Sequence, residues 1–127
     1  MDKPPKNVVL IEEAAFRLAR EQAPEGARFI LSGDVDADGA EKIFRALEEK
    51  AGEGEMAELH LDEAEITDGP ATARMVDAVR LLLDRFTRLR VVRAPQALAH
   101  TIYRVGMLQP GSRIDLIDPR EEEGRAN

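Results

Sequence analysis

The sequence predicts a single α/β domain: a mixed β-sheet of four to five strands with helices packed against it. Two observations predict it. Short apolar runs of strand character alternate with longer stretches whose apolar residues recur at helical spacing. The chain has 127 residues, enough for one domain with a core that needs no disulfide or metal. No internal repeat or low-complexity linker divides it.

The elements follow in order. Residues 1–7, MDKPPKN, are polar with two Pro and are expected to be flexible. The stretch VVLIEEAAFRLAREQ allows two readings. Phe16 and Leu18 alternate with Arg17 and Ala19, as in a strand, while the Ala and Glu content suits a helix. APEGA breaks the chain, and RFILSG, ending at Gly33, reads as a buried strand. DVDADG reads as a turn. After it Ala40, Ile43, Phe44, Leu47 and Ala51 mark one helical face, which ends near AGEGE. Leu59 and Leu61 alternate with Glu58, His60 and Asp62, a strand with one wet face closed by Ile66.

In EITDGPATARMVDAV a strand ends, the chain turns and a helix begins. Asp68 or Gly69 suits the cap, and Pro70 suits the first turn, where a missing N–H costs nothing. Met75, Val76, Val79, Leu82, Leu83 and Phe86 continue as one apolar stripe. LRVVRAP is a strand stopped by Pro95. Leu98, Ile102 and Val105 mark a third helix ended by Gly106, and SRIDLID is a last strand. The domain is expected over residues 8–118, with a charged, disordered tail over residues 119–127.

Composition narrows the function classes. The net charge is −7, which disfavours nonspecific nucleic-acid binding. The charge is uneven: residues 71–113 hold eight Arg against Asp77 and Asp84 alone. Solvated faces of helices and strands explain that block more simply than a basic docking face does, and Phe86 and Tyr103 are its only aromatics, so base stacking has little support. Cys is absent, which removes disulfide and thiol chemistry and fits a reducing compartment. The four-residue apolar run Val8–Ile11 is too short for a signal peptide or a membrane span. A soluble, cytoplasmic protein is expected, with no membrane insertion.

Catalysis finds little support. His60 and His100 lie far apart, outside any metal-spacing motif. DVDADG starts like a calcium loop, but Arg45 stands where the ligand Glu belongs. It is no phosphate loop either, since the Gly-Lys-Ser/Thr ending is missing. No nucleophile is paired with a base. A non-enzyme without metal or cofactor is expected.

The order of these elements resembles a STAS domain over about Phe16 to Ile117. Three places carry the resemblance. LSGDVDADGAEKIFRAL is similar to the family's strand, Gly-x-Leu-Asp turn and first helix, with Gly33 and Asp36 at the matching places. LHLDEAEITDGPATA is similar to the strand that runs into Asp-Ser-Ser-Gly, and Asp68 matches that Asp. LRVVRAPQALAHTIYRVGMLQ is similar to the fourth strand and a helix ending in Gly-Leu, here Gly106 and Met107. The family includes anti-sigma factor antagonists, the cytosolic domain of sulfate transporters and small subunits of bacterial lipid-transport ABC systems.

The resemblance implies a protein-binding module whose partner is an anti-sigma factor with an ATPase-like kinase fold. It also admits a soluble subunit that docks on an ABC ATPase, and a nucleotide or small-ligand sensor using the Asp36 turn. The implied partner-binding residues are Asp36, Thr67, Asp68, Gly69, Pro70, Ala71 and Thr72. One departure stands out. Switched antagonists carry Ser or Thr directly after the Asp, and here that place is Gly69. The phosphorylation switch, which adds nearly two negative charges at a helix N-terminus, is expected to be absent. Thr67 and Thr72 flank the turn as substitute acceptors. Asp36 and Asp68 each have a purely structural alternative, holding a turn or capping a helix.

Overall fold

The computed structural model describes residues 7–118. The chain runs β1 (Asn7–Glu12), β2 (Phe16–Ala23), β3 (Gly26–Val35), α1 (Ala37–Lys50), β4 (Gly54–Ile66), α2 (Gly69–Arg85), β5 (Phe86–Val92), α3 (Gln96–Arg104) and β6 (Ile114–Ile117). The strands form one sheet in the order of the sequence. β1, β2 and β3 pair antiparallel, while β3, β4, β5 and β6 pair parallel.

The sheet is mixed, as expected, but has six strands rather than four to five. The difference lies in the ambiguous N-terminal stretch, which folds as the β1–β2 hairpin. Phe16 and Leu18 turn into the core there, while Arg17 faces solvent. Asn7 already belongs to β1. Residues 1–6 and 119–127 lie outside the described residues, and with them most of the expected flexible N-terminus and the charged tail.

Each parallel step along the sheet needs a crossover helix, and right-handed crossovers that all step one way place their helices on one face. α1, α2 and α3 therefore lie side by side, α2 against both neighbours. Beneath them sits the core. Ala27, Phe29 and Leu31 of β3, Ala57, Leu59 and Leu61 of β4, and Leu89 and Val91 of β5 meet Ile43 and Leu47 of α1 and Met75, Val79 and Leu82 of α2. Phe86, expected on the stripe of α2, instead opens β5, and its ring meets Phe29 edge to face at 6.0 Å. Such a pair adds to the area buried by both rings.

The opposite face of the sheet carries charge in register. Arg28, Glu58, Arg90 and Asp115 stand opposite one another across β3 to β6. Arg28 Nε lies 3.1 Å from Glu58 Oε1, and Arg90 Nη1 3.7 Å from Glu58 Oε2. Arg88 pairs with Asp115 and Arg93 with Asp62. Three of the Arg residues that make the middle of the chain basic are thus matched by acids from its more acidic parts. Arg85 points elsewhere and donates to the Glu48 carbonyl.

Candidate functional site

The parallel strands β3 and β4 end beside each other and feed α1 and α2. The two helix starts are built alike. Asp36 and Asp68 hold extended backbone and cap the helices. Oδ1 of Asp36 accepts from the Gly39 N–H at 2.8 Å, and Oδ1 of Asp68 accepts from the Ala71 N–H at 2.8 Å. Each cap satisfies an N–H that a helix start otherwise leaves unpaired. The Asp36 turn is therefore the cap of α1, directly continuous with β3, rather than a separate loop.

The helix starts are also tied together. Thr67 donates both its N–H (2.9 Å) and its hydroxyl (3.3 Å) to the carbonyl of Val35. One turn further on, Arg74 of α2 bonds Glu41 of α1, reaches Asp77 at 3.0 Å and lies 3.9 Å above the Phe44 ring. The Arg74 hydrogen bond holds the Glu41 carboxyl below its ordinary range. Both helix N-termini are thus fixed relative to each other by a backbone bridge and a side-chain clamp.

The rim around them is acidic. Asp34, Asp36, Asp38, Glu65 and Asp68 are all exposed. Lys42 bonds Glu13, which raises its pKa. A recess of about 420 Å³ lies between the β1–β2 turn and the start of α1, lined by Glu13, Ala15, Phe16, Asp36, Gly39 and Lys42. Gly39 lines it and is tightly packed: a Cβ there would stand 3.0 Å from the Phe16 ring. Gly69 is the reverse case: a Cβ there would meet nothing within 4 Å. The turn between β4 and α2 faces open space.

Solved structures with a similar fold are known. The phosphorylated form of SpoIIAA, a Bacillus cell fate determinant, superposes with a TM-score of 0.52 at 14% identity, covering 87% of this chain and 99% of that one. An uncharacterised DUF3478-family protein with a SpoIIAA-like fold from Shewanella loihica gives 0.53 at 15% identity, over 87% and 93% of the two chains. The fold is that of a STAS-like domain. No protein-family model matches the sequence, and no curated protein matches it significantly.

The STAS-like fold brings all seven residues of the implied partner site to one rim, but in different settings. Asp36, Thr67, Asp68, Gly69 and Pro70 are exposed, whereas Ala71 and Thr72 are buried. The Thr72 residue is 7% exposed and its hydroxyl donates to the Asp68 carbonyl at 3.2 Å. Of the two substitute acceptors only Thr67 stands at the surface, and its hydroxyl is engaged with Val35. His60 sits in mid-β4 on the open sheet face, 2.9 Å from Glu58, and His100 is exposed on α3. Among the described residues no group of three or more His, Asp or Glu is placed to hold a metal. No described helix is long and apolar enough to cross a membrane.

Sequence reasoning missed the clamp that makes the rim rigid. Arg74 and Asp77 stand three apart, a readable helical pair. Glu41 and Phe44, however, lie far earlier in the chain, and only the packing of α1 on α2 joins them to Arg74.

Proposed function

We propose that this chain is a non-catalytic protein-binding module of the anti-sigma factor antagonist type. It docks through the Asp36 and Thr67–Thr72 rim on an anti-sigma factor with an ATPase-like kinase fold, without a Ser phosphorylation switch. Binding would sequester the anti-sigma factor and free a sigma factor. The observation that carries the reading is the Asp68–Gly69 turn, which is rigidly capped, exposed and, at Gly69, without a side chain. A partner can approach that backbone closely, and the position after Asp68 offers no hydroxyl to phosphorylate. The likeness to SpoIIAA supports the fold side of the reading.

The test is titration calorimetry against an anti-sigma kinase recovered with the tagged protein from its host's lysate. Gly69→Arg should weaken binding at least tenfold, because a long charged side chain would occupy the approach to the turn. Its melting temperature should stay near that of the unmodified protein, because the Cβ position is open. Unchanged affinity would remove this turn from the interface. Recovery of an ABC ATPase with its permease would redirect the rim to a transport complex.

A further inference from the structure

The stretch between Asp84 and Asp115 holds six Arg and no Asp or Glu, in a chain of net charge −7. Five of the six Arg are engaged. Arg88, Arg90 and Arg93 pair with acids on the open sheet face. Arg85 donates to the Glu48 carbonyl, and Nη1 of Arg113 donates to the carbonyls of Leu83, Phe86 and Thr87. Arg104, in the last turn of α3, is exposed and has no hydrogen bond or ion pair among the described residues. His100 and Thr101, one turn earlier on the same helix, bring no negative charge.

Beside Arg104 opens a recess of about 560 Å³, lined by Tyr103, Arg104, Gly106, Leu108, Gln109 and Pro110. Its walls are held in place. Gly106 takes φ +83° and ends α3. Its N–H donates to the Tyr103 carbonyl at 3.1 Å, and the Met107 N–H donates to the Ile102 carbonyl at 3.2 Å. Further on, the Ser112 N–H donates to the Gln109 carbonyl at 2.9 Å. Met107 and Leu108 pack against the core. Tyr103 nevertheless stands 68% exposed, and Val105 45%. A single exposed apolar side chain is ordinary. Here two of them flank an unpaired Arg at the mouth of a fixed recess, and Tyr and Arg are the side chains over-represented at the centres of protein interfaces.

We propose that this recess docks an acidic segment of a partner protein that carries one large apolar side chain. The apolar side chain fills the recess over Leu108 and Pro110, beside the Tyr103 ring. A carboxylate next to it pairs with Arg104. Charge selects the acidic partner, because a basic segment would meet Arg104 with no acid between Asp84 and Asp115 to offset it. A lipid surface fits less well: one Arg attracts anionic headgroups only weakly, and a recess does not match a plane. β5 and β6 are parallel, so α3 runs back along the sheet and the recess lies at the end where β6 starts. The Asp36 and Thr67–Thr72 rim lies where β3 and β4 end. The two surfaces stand at opposite ends of the sheet, and the recess does not depend on the role proposed for the rim.

Selection of a random dodecapeptide library on the full chain tests this, with the double variant Tyr103→Ser, Arg104→Glu as counter-target. Enriched peptides should carry Asp or Glu around one Trp, Phe or Leu. A synthetic peptide of that consensus should shift the amide resonances of Tyr103 to Gln109 in the isotope-labelled protein. Arg104→Glu should weaken its binding about fivefold at low salt and less at high salt, and Tyr103→Ser should weaken it about tenfold. Both side chains are exposed, and unchanged far-ultraviolet circular dichroism confirms that the variants fold. Peptides that bind the double variant equally well would overturn the proposal, as would enrichment of basic peptides alone or of none. So would anionic phospholipid vesicles, or a second copy of the chain, binding through Arg104 where no peptide does.

Discussion

Replacing Asp68 separates what its carboxylate does for the fold from what it does at the surface. Its Oδ1 accepts the Ala71 N–H at 2.8 Å, and Pro70 has no N–H to offer. The Thr72 N–H already reaches the Asp68 carbonyl. Asp68→Ala therefore strands one donor, that of Ala71, a residue with no solvent exposure. Water cannot readily replace the lost acceptor, so the cost should lie in the upper part of the capping range, about 1.5–2 kcal/mol. A domain of roughly 110 residues loses about 4 °C of Tm per kcal/mol, so Asp68→Ala should melt about 6–8 °C lower. Asp68→Asn keeps a carbonyl acceptor and loses only the attraction of a carboxylate for the helix N-terminus. At this exposed position that is worth about 0.5 kcal/mol, or about 2 °C. Differential scanning calorimetry of the three proteins reads both shifts. If Asp68→Asn costs as much as Asp68→Ala, the charge rather than the hydrogen bond holds the turn, and the cap does not work as described.

Three further outcomes are expected. Gly33→Ala should destabilise by more than about 3 kcal/mol in urea titration, since φ there is +100° and a Cβ would stand 2.2 Å from the Ala15 carbonyl oxygen; Gly69→Ala, with open space around it, should be neutral or stabilise by up to about 1 kcal/mol. Arg74→Ala should lower stability in the same assay, and Arg74→Lys should restore little of the loss, because the planar guanidinium both stacks on Phe44 and bonds Glu41. The third concerns pH. Hydrogen bonds from His60 and Arg28 hold the Glu58 carboxyl below its ordinary range, although its partial burial opposes this. Its folded pKa is thus lower than its unfolded one, so its stabilisation is complete above the unfolded value of about 4.3 and fades as pH falls through the folded value. Glu58→Gln should therefore be less stable than the unmodified protein at neutral pH and converge with it in acid, a trend that chemical denaturation at a series of pH values would show or refute.

The parts legible in the sequence are those fixed by local periodicity. α1 and α2 have apolar stripes, capping Asp residues and, in α2, Pro70 in the first turn, and all of these act within a few residues of one another. The β1–β2 hairpin was legible only in part: Phe16 and Leu18 alternate as in a strand, but the bulge breaks the two-residue alternation at Leu10 and the Ala and Glu content matches a helix. Phe86 misled for a related reason. It follows Leu82 by four residues, so the helical spacing continues one step past the true end, and the long-range contact with Phe29 places it in β5. The pairing of Arg88, Arg90 and Arg93 with Asp115, Glu58 and Asp62 depends on strand register, which a linear pattern does not contain.

At the rim, sequence reasoning left Asp36 and Asp68 with two competing roles, a structural one (holding a turn for Asp36, capping a helix for Asp68) or docking. The geometry makes the two roles compatible. Each carboxylate has two oxygens, and the cap uses Oδ1 in both cases. Both residues remain exposed while capping. A capped helix start holds its carboxylate in one place, and a carboxylate already held loses less side-chain freedom when a partner binds. Capping would thus prepare these acids for docking rather than consume them. The consequence is specific: Asp68→Asn, which preserves the cap and removes the charge, should leave Tm nearly intact while weakening a partner with a basic surface. Loss of binding only in step with loss of stability would mean that the caps serve the fold alone.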